Sequence, residues 1–172
     1  RQQRLYIIQV ISADFIRICC DKKGTHTIQA IFDTVNLPEE EELIRRALRG
    51  NIFRLSMDSQ GTHVVQKVLN CRSFKGAKQN FVFDEFEDFY EICTNRNGLI
   101  VVKILVKNVV TPDKRRKLMS QIGNRMIKLV QDPYGNYAVS EIIANWDPAQ
   151  CYPIFEQVLT RVSELSIQKY SS

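Results

Sequence analysis

The sequence predicts an all-α protein, an α-solenoid of stacked three-helix repeats. Three observations predict this fold: a glycine recurs at a constant interval, apolar residues follow it at helical spacing, and a residue able to cap a helix precedes it. Repetition at a period of about 20–50 residues is typical of proteins whose supersecondary units stack on one another. We expect about four repeats, with a fragment of a further repeat at each end.

The glycine interval is the strongest of these signals. Four segments align without gaps, and each glycine stands 37 residues from the next. The segments are DKKGTHTIQAIF, DSQGTHVVQKVL, NRNGLIVVKILV and DPYGNYAVSEII, with glycines Gly24, Gly61, Gly98 and Gly135. Three residues before each glycine stands an Asp or Asn, whose side chain can accept hydrogen bonds from the first free amides of a helix. These residues are Asp21, Asp58, Asn95 and Asp132.

The helix after each glycine is predicted to bury one face. Apolar residues recur four, seven and eight places after the glycine, which is the spacing of one stripe of an α-helix. The residues at the fourth place are Ile28, Val65, Val102 and Val139. An apolar residue six places before the glycine indicates a preceding short helix that also faces inward; this set is Ile18, Leu55, Ile92 and Leu129. Cys19 and Cys93 follow two of these residues and are expected to lie in the core.

Prolines mark the start of a third helix in three of the repeats. They are Pro38, Pro112 and Pro148. Proline is favoured at the first helical position, and Thr111 and Asp147 precede two of these prolines as candidate caps. Glu39–Glu42 suit a helix start and are expected to be solvated, while Gly50 suits the helix end. The second repeat has no proline at this position.

The repeat spacing defines one continuous array over residues 1–172. Repeat cores are predicted near residues 13–49, 50–86, 87–123 and 124–158, with a partial repeat at 159–172. Residues Arg4–Val10 have the pattern of the last helix of an earlier repeat. The first residue is arginine instead of methionine, and we expect the array to be part of a longer domain.

Composition limits the classes of function. Hydrophobic residues make up 44% and charged residues 25%, as in an ordinary soluble domain. The net charge of +5 is compatible with an anionic partner such as nucleic acid. The five cysteines include no C-x-x-C pair, which argues against a zinc ribbon or a disulfide framework. No P-loop, H-E-x-x-H or G-x-S-x-G motif is present, so we predict no enzyme, no cofactor and no metal site.

The string G-x-x-x-x-Q on a capped helix, repeated at 36–37 residues, resembles the PUF (Pumilio) family. LVQDPYGNYAVSEII and LSMDSQGTHVVQKVL look like PUF repeats, and LSIQKYSS is similar to the beginning of another. The resemblance covers essentially the whole chain. It implies that the helix after each glycine lines a concave surface and that each repeat binds one RNA base.

The resemblance assigns roles to three positions of each such helix. Residues one and five places after the glycine touch a base edge, and the residue two places after it stacks on a base. The edge pairs are Thr25/Gln29, Thr62/Gln66, Leu99/Lys103 and Asn136/Ser140, with Ser172 at the first position of the partial repeat. The stacking residues are His26, His63, Ile100 and Tyr137. The three offsets cluster on one side of a helix, away from the buried stripe, and flat side chains suit base faces.

Two of these sets depart from the family pattern. Leu99 and Lys103 have no amide to read a base edge, Ile100 is not flat, and Ser140 stands where the family has Gln. The family binds RNA antiparallel, so the resemblance implies a core, from 5′ to 3′, of G, U, an unread base, A and A. The G depends on Ser172.

The resemblance also implies a biological setting. It implies binding of single-stranded messenger RNA in 3′ untranslated regions, translational repression in the cytoplasm, and deadenylase or repressor proteins on the outer surface, without a membrane. The departures keep open a nucleolar PUF-like protein of ribosomal RNA processing. A protein-binding scaffold of the armadillo or HEAT kind is a further alternative. For His26 and His63, a metal pair and a buried core role are the alternatives to stacking.

Overall fold

The computed structural model describes residues 2–74, 80–86, 88–108 and 111–170. These residues form fourteen α-helices and two 3₁₀ turns, and they include no strand. None of the described helices is both long enough and apolar enough to cross a bilayer. The chain divides into two compact units, residues 1–87 and 88–172.

The first unit contains seven of the described α-helices. They are α1 (Gln2–Ile11), α2 (Phe15–Cys19), α3 (Gly24–Thr34), α4 (Pro38–Leu48), α5 (Ile52–Met57), α6 (Gly61–Asn70) and α7 (Asn80–Asp84). Helices α2, α3 and α4 form the first repeat, and α1 packs against α4. In the second repeat, α5 and α6 are followed by a 3₁₀ turn, Arg72–Phe74, and by the short α7.

The second unit contains the other seven described α-helices. They are α8 (Phe89–Thr94), α9 (Arg96–Asn108), α10 (Pro112–Gly123), α11 (Met126–Gln131), α12 (Gly135–Asn145), α13 (Pro148–Leu159) and α14 (Val162–Leu165). Helices α8 to α10 and α11 to α13 form the third and fourth repeats, each with three helices as predicted. In α14, Leu165 is buried and falls 36 residues after Leu129, so the repeat register continues into this helix.

The residue three places before each glycine caps the following helix, as predicted. Asp21 Oδ1 accepts hydrogen bonds from the backbone N–H groups of Lys23 at 2.9 Å and Gly24 at 2.7 Å. The equivalent pairs of bonds are made by Asp58, Asn95 and Asp132. These bonds satisfy amides that have no partner within the helix. The bonds from Gly24 and Lys23 hold the pKa of the Asp21 carboxyl below its ordinary value.

The third helices begin where the prolines predicted. Pro112 and Pro148 are the first residues of α10 and α13, but the side chains of Thr111 and Asp147 make no capping hydrogen bond. Gly50 follows α4 with a positive φ of 73°, a conformation that glycine adopts without steric cost.

Each repeat glycine permits a close contact with the preceding short helix. A Cβ atom on Gly98 would lie 2.5 Å from the backbone oxygen of Ile92 and 2.6 Å from Ile92 Cγ1. On Gly135 it would lie 2.5 Å from the backbone oxygen of Leu129. Side-chain carbons do not approach other atoms this closely, so any larger residue would push the two helices apart.

Most of the predicted apolar stripe forms the core of the repeats, but Ile31 is half-buried and Ile143 is 39% exposed. The residues four places after the glycines are buried, with exposures between 0% and 4%. Cys19 and Cys93 are fully buried, as expected, and burial raises the pKa of the Cys19 thiol to about 12. Ile18 departs from its set because it is only half-buried.

Glu40 corrects the expectation that Glu39–Glu42 are all solvated. Its side chain is fully buried and accepts hydrogen bonds from Arg4 Nε at 2.8 Å and from the backbone N–H of Leu37 at 3.3 Å. Burial raises the pKa of this carboxyl, but the bonds from Arg4 and from backbone amides outweigh it, and the pKa lies below its ordinary value. A charge that is buried must be paired. Arg4 provides the partner from α1.

We expect Gly98→Ala to lower the free energy of unfolding by about 1–3 kcal/mol, the usual cost of overpacking. Gly123 provides a matched control, because it also lies in a helix of the second unit and, apart from its chain neighbours and its own helix backbone, no atom lies within 4 Å of its Cβ position. Gly123→Ala should be neutral, or should stabilise by up to about 1 kcal/mol. Urea denaturation of both variants measures the difference. Equal effects from the two substitutions would contradict the close-contact explanation.

Candidate nucleic-acid interface

The helices that follow the repeat glycines are α3, α6, α9 and α12, and we call them the reader helices. In the first unit α3 packs beside α6, and in the second unit α9 packs beside α12. The four predicted stacking residues are all exposed: His26, His63, Ile100 and Tyr137. The core alternative for the two histidines is therefore wrong. Across the described residues, no group of His, Cys, Asp and Glu has the geometry to hold a metal ion.

Gln29 and Gln66 are held in the same way in the two repeats of the first unit. Gln29 Nε2 donates a hydrogen bond to Thr25 Oγ1 at 3.3 Å, and Gln66 Nε2 donates one to Thr62 Oγ1 at 3.3 Å. Each glutamine is half-buried. A carboxamide has two N–H donors and an oxygen acceptor, so one bond to threonine orients the group and leaves polar atoms for another partner.

The two threonines are more buried than the glutamines with which they pair. Thr25 is 1% exposed and Thr62 is 2% exposed. Thr25 Oγ1 donates a hydrogen bond to the backbone oxygen of Gln60 at 3.3 Å, in the turn before α6. The structure therefore brings each predicted Thr/Gln pair together, and in the first repeat the Thr25 hydroxyl also bonds to the second repeat. The glutamine is the member of the pair that a ligand could reach more easily.

The reader helices of the second unit present different chemistry. Leu99 is 8% exposed and offers no hydrogen-bonding group. The ammonium of Lys103 lies 5.3 Å from the centroid of the Tyr137 ring, which is within the range of a cation–π contact. Lys103 and Tyr137 belong to separate repeats, and their spacing in the sequence does not predict this contact.

In the fourth repeat, the side chains of both edge residues bond to backbone oxygens of the same repeat. Asn136 Nδ2 donates a hydrogen bond to the backbone oxygen of Asp132 at 2.7 Å, and Ser140 Oγ donates one to the backbone oxygen of Asn136 at 2.9 Å. The exposed aromatic side chain of this set is Tyr137, with 54% of its surface exposed. The remaining predicted edge residue, Ser172, lies outside the described residues.

Ion pairs join neighbouring reader helices beside these positions. Lys67 Nζ lies 2.6 Å from Asp33 Oδ1 in the first unit, and Lys107 Nζ lies 3.0 Å from Glu141 Oε1 in the second. The bond from Lys107 is the main reason that the pKa of Glu141 lies below its ordinary value. Both pairs join residues 34 positions apart, with acid and base exchanged. Neither ion pair was predicted, although opposite charges at this fixed offset are visible in the sequence.

Successive helices with exposed side chains at fixed offsets from a glycine define an α-helical repeat protein. A family model described as the Pumilio-family RNA binding repeat matches residues 14–46, 51–75 and 125–159. The chain belongs to this family, the PUF family. The matched segments contain the reader helices of the first, second and fourth repeats. They leave out the third repeat, whose reader set departs most from the family pattern.

Relatives and solved structures agree with this assignment. A Pumilio domain-containing protein of Schizosaccharomyces pombe is 34% identical over 171 residues, which are 99% of this chain and 25% of that protein. Pumilio homolog 7 of Arabidopsis thaliana is 33% identical over 175 residues, which cover 99% of this chain and 26% of that protein. The chain thus spans about a quarter of the length of these two relatives.

Two solved structures are similar over almost the whole chain. One is the Puf4 RNA binding domain bound to an HO endonuclease RNA 3′ UTR recognition sequence, with a TM-score of 0.88, 28% identity, and coverage of 99% of this chain and 53% of that chain. The other is the RNA-binding domain of yeast Puf5p bound to SMX2 RNA, with a TM-score of 0.86, 25% identity, and coverage of 99% and 49%. The predicted family and the predicted all-α fold of PUF repeats are confirmed.

We expect replacement of both His26 and His63 by Ala to change the free energy of unfolding by no more than about 0.5 kcal/mol, because both side chains are exposed. Thr25→Val is the contrasting variant. It removes a buried hydroxyl and leaves the backbone oxygen of Gln60 without that donor, which should cost about 1–3 kcal/mol. Thermal denaturation compares the two. A larger loss in the histidine variant would mean that these rings support the fold.

Proposed function

We propose that this chain binds single-stranded RNA through its reader helices, with one base for each repeat. The observation that best supports this function is an arrangement that occurs twice in the first unit. An exposed histidine stands three residues before a half-buried glutamine, and a threonine hydroxyl orients the glutamine amide. A flat ring can stack on a base, and an oriented amide can both donate to and accept from a base edge.

The recurrence of this arrangement favours a polymeric ligand. A chain of nucleotides presents the same kind of flat face and polar edge at regular intervals, so it can use the same side chains in successive repeats. A protein-binding scaffold gives no reason for His and Gln to recur at the same two offsets. The positive net charge of +5 also favours a polyanion.

We further propose that the natural target is messenger RNA, bound at 3′ untranslated sequences to regulate translation in the cytoplasm. The Puf4 domain to which this chain is similar is bound to a 3′ UTR recognition sequence, which supports this choice of target. On this proposal residues 1–172 are one array within a longer PUF domain. Deadenylase or repressor proteins would bind surfaces other than the reader faces. The proposed role is binding without catalysis.

One observation favours a second candidate, a nucleolar PUF-like protein that acts in ribosomal RNA processing. In the third repeat, Leu99 and Ile100 are apolar and Lys103 carries no amide. A reader set of this kind suits a protein whose RNA is less strictly defined in sequence. The base preferences of the array, measured on randomised RNA, separate the two candidates. Selection of one short motif favours the messenger RNA role.

We expect the folded chain to bind RNA with a Kd near micromolar or weaker, because only two repeats have complete reader sets. Replacing both His26 and His63 by Ala should weaken binding at least tenfold, since each stacked base contributes about 1–3 kcal/mol. Affinity should fall as salt rises, with a log–log slope of about 0.7 for each phosphate that is neutralised. Fluorescence anisotropy with a labelled pool of short RNAs measures all three quantities.

The control for this experiment is Tyr152→Ala. Tyr152 is an aromatic residue of α13 that is 64% exposed and lies outside the reader helices. Its loss should leave RNA affinity unchanged. Absence of binding at low salt by a folded sample contradicts the proposed function, and equal losses in the histidine and Tyr152 variants contradict the proposed surface.

We expect Ser140→Gln to improve discrimination for uracil at the base bound by the fourth repeat, by roughly 1–3 kcal/mol. Ser140 Oγ is bonded within its own helix, whereas a glutamine could reach the Asn136 side chain, as Gln29 reaches Thr25. The measurement is the affinity of both proteins for four RNAs that differ at that base. A uniform change across the four RNAs would mean that position 140 does not face a base.

A further inference from the structure

We propose that Lys103 makes the third repeat select against adenine. This inference rests on the proposed RNA binding and replaces the unread base that the family pattern implied at this repeat. Among the twelve predicted base-edge and stacking positions in the four full repeats, Lys103 is the only Lys or Arg. The base beside it would therefore meet a cation where other repeats present an amide or a hydroxyl.

The neighbours of Lys103 explain where its ammonium lies. At the equivalent positions of the first unit, Gln29 and Gln66 bond to a threonine hydroxyl four residues earlier. The residue four places before Lys103 is Leu99, whose side chain offers no acceptor. The ammonium instead lies over the ring of Tyr137, 5.3 Å from its centroid.

No described carboxylate forms an ion pair with Lys103. Glu141 on the facing helix α12 is close enough for the charge of Lys103 to lower its pKa, but its side chain already bonds to Lys107 at 3.0 Å and to Asn145 Nδ2 at 2.8 Å. A cation–π contact at an exposed ring is weak. The ammonium is therefore held where a ligand can displace it.

The Tyr137 ring is also the surface on which a base would stack. A base and an ammonium cannot occupy the same face of one ring, so a base that stacks there displaces Lys103 from it. Lys103 remains anchored on α9 at the base-edge position of the third repeat. Its ammonium carries three donors and no acceptor, so it requires an acceptor on the base beside it.

The four RNA bases differ in what they offer to a donor of this kind. Guanine, cytosine and uracil each carry at least one carbonyl oxygen, whereas adenine carries none. On adenine the acceptors N1 and N7 both flank the exocyclic amino group, whose hydrogens would face the ammonium. Adenine is thus the poorest partner for Lys103, whichever of these two edges the base presents.

The test is selection from a pool of randomised ten-nucleotide RNAs, followed by anisotropy with four RNAs that differ only at the selected position. Wild type should disfavour adenine at one position by about tenfold, the size expected of one hydrogen bond to a charged group. In Lys103→Gln this penalty should fall to twofold or less, because an amide can both donate and accept. Lys103→Arg should retain the penalty, because it keeps a cation with donors alone.

Lys107→Gln is the matched control, since it removes one positive charge from the same helix at a residue bonded to Glu141. It should lower affinity for the four RNAs equally and leave the adenine penalty intact. If Lys103→Gln also lowers affinity for all four RNAs equally, Lys103 contacts phosphate, and the inference that it selects against adenine is wrong. The inference also fails if wild type tolerates adenine at every position. If folded wild type binds no RNA at all, the proposed function itself fails, which is a separate outcome.

Discussion

The contact between each repeat glycine and the backbone of the preceding short helix is the constraint on which the rest of each repeat depends. The glycine lies against the backbone oxygen of the residue six places earlier, at a distance that leaves no room for a Cβ atom. The Asp or Asn three places before the glycine then accepts hydrogen bonds from the first amides of the reader helix. Together these contacts fix where the reader helix begins and how closely it packs on the short helix.

A fixed start determines which residues of the reader helix are buried and which are exposed. Counted from the glycine, the fourth residue enters the core and the second points to solvent, because their positions around the helix follow from the 3.6-residue period. Neighbouring reader helices are then joined beside the exposed positions, by the Thr25 hydroxyl and the Lys67–Asp33 pair in the first unit and by the Lys107–Glu141 pair in the second.

The features that could be predicted from the sequence are those set by local periodicity. Spacing within about ten residues predicts the helix starts at Pro112 and Pro148, the capping residues and the exposure of His26 and His63. The 37-residue interval between glycines gives the period. The features that could not be predicted depend on side chains that meet across repeats. Glu40 is buried where Arg4 of another helix pairs with it. The ammonium of Lys103 lies over the Tyr137 ring, because the side chain of Leu99, four residues earlier, has no hydroxyl to accept a bond.

Because local spacing sets the fold of each repeat, one repeat can change the chemistry of its reader residues and keep that fold. The third repeat keeps Asn95, Gly98 and the buried Val102, so its reader helix packs like the others, although it begins at Arg96, two residues before the glycine. None of its three reader residues is shared with the first two repeats: Leu99 replaces a buried threonine, and Ile100 and Lys103 stand where the first unit has His and Gln. Substitution of the exposed residue two places after the glycine alters what a ligand meets and costs little stability. Lys103 is the example in this chain: the side chain of Leu99 offers no acceptor at the first position, and the ammonium at the fifth position lies over the Tyr137 ring instead.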